Sequence, residues 1–168
     1  MTEDRVDHIQ QQWRRERPDL DVGPQALVGR LHRLADRLGA ELVTVYRRHG
    51  LNEGEFDVLA TLRRAGAPYA LAPGELAQHT MVTTGAMTKR LDRLEDAGLV
   101  ARERSSVDGR GRVVALSEAG RRVIDAAFAE HVRNEHRLVS GLDPTEREQL
   151  VALLRRWSES LDEIPDLS

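Results

Sequence analysis

The sequence predicts a mainly α fold with one short β hairpin, and three observations predict it. Apolar residues recur every third or fourth position over long stretches, which puts them on one helical face. Helix-start signatures recur, among them Asn52 with Glu55 and Asp143-Pro144 with Glu146. One segment breaks the rhythm: Leu99–Arg104 and Arg112–Leu116 are rich in extended-chain residues and flank Asp108-Gly109, a strong two-residue turn signal.

Taken in order, residues 4–17 are expected to form a short polar helix with Val6, Ile9 and Trp13 at helical spacing, stopped by Pro18. A long amphipathic helix follows from Pro24 to about His49, its stripe made by Leu27, Leu31, Leu34, Leu38, Leu42 and Val45. Pro24 suits its first position and Gly50 its stop. Asn52 and Glu55 open the next helix, which buries Phe56, Leu59 and Leu62 and ends near Gly66. Residues 67–72 read as loop or a short strand. Pro73–His79 is a short helix, and a turn at Met81-Val82 leads to a helix capped by Thr83 or Thr84. That helix carries Met87, Leu91 and Leu94 and stops at Gly98. After the hairpin, Ser117 caps a helix from Glu118 to about Ser140, and a last helix from Pro144 carries Leu150, Leu153, Leu154, Trp157 and Leu161.

A helix-turn-helix followed at once by a two-stranded hairpin is a winged helix. The expected division is N-terminal helices over 1–49, a winged helix-turn-helix over 50–117, and C-terminal helices over 118–168. One winged helix cannot bury all these stripes, so the end helices are expected to dimerise with a second copy.

Composition narrows the function. With aromatics at only 4% of 168 residues, the core must be mostly Leu, Val and Ala. No apolar run approaches the ~20 residues of a membrane span. The start, MTEDRVDHIQQQ, lacks a secretory apolar segment, so a cytoplasmic protein is expected. The absence of cysteine excludes disulfides, thiolate catalysis and zinc–cysteine sites. The six histidines are scattered, and His131 and His136, five apart, share a helical face poorly; solvated or interface roles are expected, with no metal and no cofactor. No nucleophile elbow or phosphate loop occurs, so no enzyme is expected. The acidic end, from Asp162 to Asp166, reads as a solvated tail.

Net charge is −3, so a nucleic-acid surface must be a local patch. An α-helix fits the major groove and its N-terminal residues reach base edges. The helix beginning Thr83-Thr84-Gly85-Ala86-Met87-Thr88-Lys89-Arg90 suits that role: its first turns are small, hydroxylated and free of acid. Residues 83–112 hold seven basic against five acidic residues, a net +2 gathered on the helix start and the hairpin tip. A narrow minor groove concentrates negative potential, and a thin hairpin can carry arginine into it. Arg110 is the expected inserting residue, Arg112 a phosphate contact, and Asp108 an orienting partner for a neighbouring arginine. The plain alternative is a solvated basic turn.

The run Leu91-Asp92-Arg93-Leu94-Glu95-Asp96-Ala97-Gly98-Leu99-Val100, then Asp108-Gly109-Arg110-Gly111, then Leu116-Ser117-Glu118-Ala119-Gly120, resembles the MarR family of bacterial regulators over about residues 27–160. The resemblance implies a winged-helix homodimer that binds pseudo-palindromic double-stranded DNA and usually loses affinity on binding a small ligand. The extension Trp13-Arg14-Arg15-Glu16-Arg17-Pro18-Asp19-Leu20-Asp21 is similar to the branch that answers urate and related purines. That likeness implies a ligand site of Trp13, Asp57, Arg90 and Arg102. Trp13 would supply a stacking face and Arg90 a charge-matched donor for a planar anion. Asp57 would hold Arg90 or Arg102 when the site is empty. Two plain alternatives stand beside this: Trp13 as a packing aromatic, and Asp57–Arg90 as a structural ion pair. The expected function is a repressor released from DNA by a small aromatic anion such as urate. The alternatives are a regulator answering a phenolic acid, and a helical interaction or ligand-carrier protein that does not bind DNA.

Overall fold

The computed structural model describes residues 3–80, 83–104 and 112–163. The chain runs α1 (Arg5–Glu16), α2 (Gln25–Arg48), α3 (Glu53–Arg64), β1 (Ala70–Leu71), α4 (Pro73–His79), α5 (Thr84–Asp96), β2 (Val100–Arg104), β3 (Arg112–Leu116), α6 (Glu118–Leu138) and α7 (Pro144–Asp162).

The helix starts follow from their caps. Asn52 Oδ1 accepts from the Glu55 N–H at 3.0 Å, and Glu55 Oε2 accepts from the Asn52 N–H at 3.0 Å, so each end of the box satisfies an orphan donor of α3. Asp143 and Glu146 do the same for α7, at 2.9 Å each way. Thr83, not Thr84, caps α5, its Oγ1 accepting from the Ala86 N–H at 3.3 Å.

The two-stranded wing expected from the sequence is a three-stranded antiparallel sheet, ordered β1-β3-β2. Ala70 and Leu71 pair with Ala115 and Val114 on β3, and the Tyr69 carbonyl accepts from the Leu116 N–H at 3.0 Å. Two residues are too few to show a period of two, and their partners lie far along the chain. Local pattern therefore left this segment open.

The core lies where the end of α2, α3, α4, α5, the sheet and the first half of α6 meet. Leu59, Leu62, Leu76, Met87, Leu91 and Ile124 are among its fully buried side chains. Against this, no residue of α7 is buried, and Leu27 and Leu153 are 59% and 52% exposed. The leucines of α2 and α7 line an open groove of about 620 Å³ that includes Leu31, Leu150, Leu154 and Trp157.

α1 is fixed to the start of α2 and to the segment before it. The buried Gln10 amide donates to the Val22 carbonyl at 2.7 Å, Arg30 pairs with Asp4 and Asp7, and Val6 packs against Gly29. His131 is not the solvated residue expected from the sequence: its ring lies among Tyr46, Phe56 and Phe128, with Tyr46 Oη 3.3 Å from Nδ1. Burial pushes the Tyr46 phenol up to about 12, the acids Asp57, Glu53 and Glu135 adding to the shift.

Candidate DNA interface and effector site

At 100° per residue, α5 sorts its side chains onto four sides. Met87, Leu91 and Leu94 are buried and anchor the helix to the core. Gly85, Thr88 and Lys89 face away from them and are exposed, with open space around Gly85. Arg90 and Arg93 turn toward α3, and Asp92 and Glu95 turn toward β2. No acid stands in the first turn, so none offsets the positive end of the helix dipole.

Each flank is tied by charge. Arg93 Nε lies 3.0 Å from Glu55 Oε1, and Glu55 is the same buried residue that caps α3. On the other side Arg102 of β2 pairs with Asp92 and Glu95 at 2.5 Å each, which raises its pKa, the Asp92 hydrogen bond first among the causes. α5 is thus clamped between the first turn of α3 and the first strand of the wing.

Arg112 is exposed at the start of β3, opposite Arg104 in the register. Asp108 and Arg110 lie outside the described residues, as does the Met81-Val82 turn.

Of the four expected ligand residues, two come into electrostatic reach of each other. Asp57 sits on the exposed side of α3. Although the residue is exposed to solvent, the protein packed around the carboxyl partly desolvates it and raises its pKa, and Glu53, one turn back, adds to the rise; Arg90, Arg64 and His131 oppose it. Arg90 does not close a hydrogen bond on Asp57. Its guanidinium rests against Gly54, and its Nη1 is buried with no hydrogen-bond partner among the described residues. Arg102 is held by Asp92 and Glu95 instead of Asp57. Trp13 lies on α1, 46% exposed, with no ring or cation stacked on it among the described residues.

Sequence reasoning passed over Gly54, and it read Glu55 only as a cap. A glycine inside the first turn of a well-capped helix was the available signal, because glycine weakens a helix by about 0.5–1 kcal/mol unless something needs the space.

Among the described residues no helix is long and apolar enough to cross a membrane. The fold and the exposed, acid-free start of α5 define the class: a winged helix-turn-helix DNA-binding protein. The sequence profile of the MarR family matches residues 49–111. The transcriptional regulator PecS of Dickeya dadantii is 41% identical over 156 residues, covering 93% of this chain and 94% of PecS. The chain belongs to the MarR family and is a transcriptional regulator, not an enzyme. Among solved structures, Sco3205, a MarR family regulator from Streptomyces coelicolor in complex with DNA, superimposes with a TM-score of 0.72 at 25% identity, over 88% of this chain and 96% of that one. AbsC from the same organism shares the fold, with a TM-score of 0.74 at 23% identity over 86% and 99% of the two chains.

Proposed function

We propose that this regulator is a homodimeric repressor, released from pseudo-palindromic operator DNA by a small planar anion of the urate or purine class. The carrying observation is Arg90. Its Nη1 is a buried donor without a partner among the described residues, beside an aspartate held above its ordinary pKa. A buried unsatisfied guanidinium N–H costs stability, and an anion that fills it recovers that cost.

Arg90 lies on the recognition helix, so a ligand that draws on its guanidinium acts on the helix that reads DNA. Ionised Asp57 repels the same anion, so binding favours a rearranged α3–α5 contact. A switch of this kind needs only different affinities for the two arrangements. The exposed Trp13 indole supplies a stacking face, and Arg102 joins only by leaving Asp92 and Glu95.

On DNA, Thr83, Thr84, Gly85, Thr88 and Lys89 approach bases or adjacent phosphates in the major groove. Arg110 enters the minor groove, oriented by Asp108, and Arg112 meets phosphate. The exposed leucines of α2 and α7 support the dimer, which sets half-sites about 34–36 Å apart.

The test is fluorescence anisotropy on labelled DNA from upstream of the protein's own gene, in a salt series, with and without urate. Binding whose log affinity falls steeply with log salt, and which urate relieves, is the expected result. Tight binding indifferent to urate but relieved by a phenolic acid would replace the effector and keep the regulator.

A further inference from the structure

We propose that Gly54 is the positioning residue of the effector response: its missing side chain leaves the seat on α3 that holds the Arg90 guanidinium with Nη1 buried and unpaired among the described residues, so that an anion engages it only by drawing the guanidinium off that seat. This rests on the reading of Arg90 given above and extends it to the residue that shapes the site.

The geometry is specific. A β-carbon on Gly54 would stand 2.5 Å from both Cζ and Nε of Arg90 and 2.9 Å from Nη2. Non-bonded carbons settle at about 3.5–4.0 Å, so no residue with a side chain coexists with Arg90 in this pose. The arginine rests there by shape: among the described residues Nη1 has no hydrogen-bond partner, and the nearby Asp57 contributes at electrostatic range. Its neighbour Arg93, one turn on, has a different anchor in Glu55. A change at Gly54 therefore moves Arg90 while leaving the α3–α5 clamp in place.

Stability and function separate at this position. The clashing atoms are the far end of a flexible side chain, which can swing away, and alanine is the better helix former. Gly54→Ala is thus expected to keep or raise thermal stability while displacing Arg90.

Two readouts test the proposal, one of them independent of any effector. In ¹³C NMR titration of the Asp57 carboxyl on the full-length protein, Gly54→Ala should shift the midpoint upward, because the Arg90 charge that lowers it has moved away. The same substitution in an Arg90→Ala background should leave the midpoint where it is. In the DNA titration, Gly54→Ala should need at least about tenfold more urate for release, the loss expected of one charge-assisted hydrogen bond. If wild type ignores urate while the Asp57 midpoint still shifts, the effector reading falls and the Gly54 seat stands. If wild type answers urate and Gly54→Ala matches it in both readouts, the seat is overturned.

Discussion

Asp57 and Glu130 are carboxylates with opposite electrostatic fates. Burial and the neighbouring Glu53 hold Asp57 above its ordinary value of 3.8. A raised acid contributes stability below its unfolded pKa and loses it as pH rises through the folded pKa. Ionised Asp57 is therefore a net burden at neutral pH. Asp57→Asn should raise the melting temperature at pH 7, with the gain shrinking toward pH 3, where the wild-type carboxyl is neutral as well. Glu130 is the reverse: hydrogen bonds from His49 and Arg48 hold it below 4.5. Its contribution is present above that value and lost as pH falls through the folded pKa. Glu130→Gln should lower the melting temperature at pH 7 and change little in strong acid. Thermal melts of both variants across pH 3–7 test the two signs; an Asp57→Asn protein less stable at pH 7 would mean that attraction to Arg90 outweighs burial. The pairing of a burden at Asp57 with an unfilled donor at Arg90 is the feature on which the proposed effector response rests.

At the level of elements, two helical glycines do different work. Gly54 makes room for a side chain, whereas Gly120 lets the start of α6 cross the entry to β2. A β-carbon on Gly120 would stand 1.9 Å from the Leu99 carbonyl oxygen, a backbone atom that cannot swing away. The crossing is also fixed by Ser117, whose Oγ donates to the Gly98 carbonyl at 2.7 Å and accepts from the Gly120 N–H at 2.9 Å. Gly120→Ala should cost about 1–3 kcal/mol or more, as overpacking does. Urea unfolding checks it: a lowered midpoint with unchanged slope is the expected result, and a midpoint equal to that of Gly54→Ala would refute the distinction. Both glycines are visible in the sequence, but only the partner atoms tell them apart. The same limit runs through the chain. The boxes at Asn52–Glu55 and Asp143–Glu146 were legible because cap and partner lie three residues apart. The α2 stripe and Gly98 were legible for the same local reason. The Arg93–Glu55 tie and the Arg102 clamp on Asp92 and Glu95 were not, and β1 stayed open between loop and short strand, because each partner comes from another element. In charge counting, Asp92 and Glu95 merely offset basic residues; in the fold they hold the wing to the recognition helix. The matching of Trp13, Asp57, Arg90 and Arg102 named residue types, while the structure supplies the Asp57–Arg90 proximity and a different partner set for Arg102.

At the scale of the whole molecule, the distribution of apolar surface argues for two chains. α7 spans Pro144–Asp162 without one buried residue, and Leu150, Val151, Leu153, Leu154 and Leu161 are exposed along it. In proteins most helical stability comes from packing an apolar face, so a helix this exposed needs a surface to lie on. The α2 leucines beside it offer a matching stripe, and the groove between them is open. A second copy presents the same two stripes, the self-complementary arrangement of a two-fold dimer. If dimerisation is coupled to folding, a tenfold dilution removes about 1.4 kcal/mol per dimer, about 0.7 kcal/mol per chain. For a chain of this size that lowers the melting temperature by about 2 °C. Leu153→Asp with Leu154→Asp places two charges in the proposed interface while leaving α5 untouched. The variant should sediment as a monomer and lose the concentration dependence. It should also bind operator DNA with about half the salt slope, because one recognition helix then meets one half-site. A wild-type melting temperature indifferent to dilution, with the double variant binding DNA as wild type does, would remove the second chain from the mechanism.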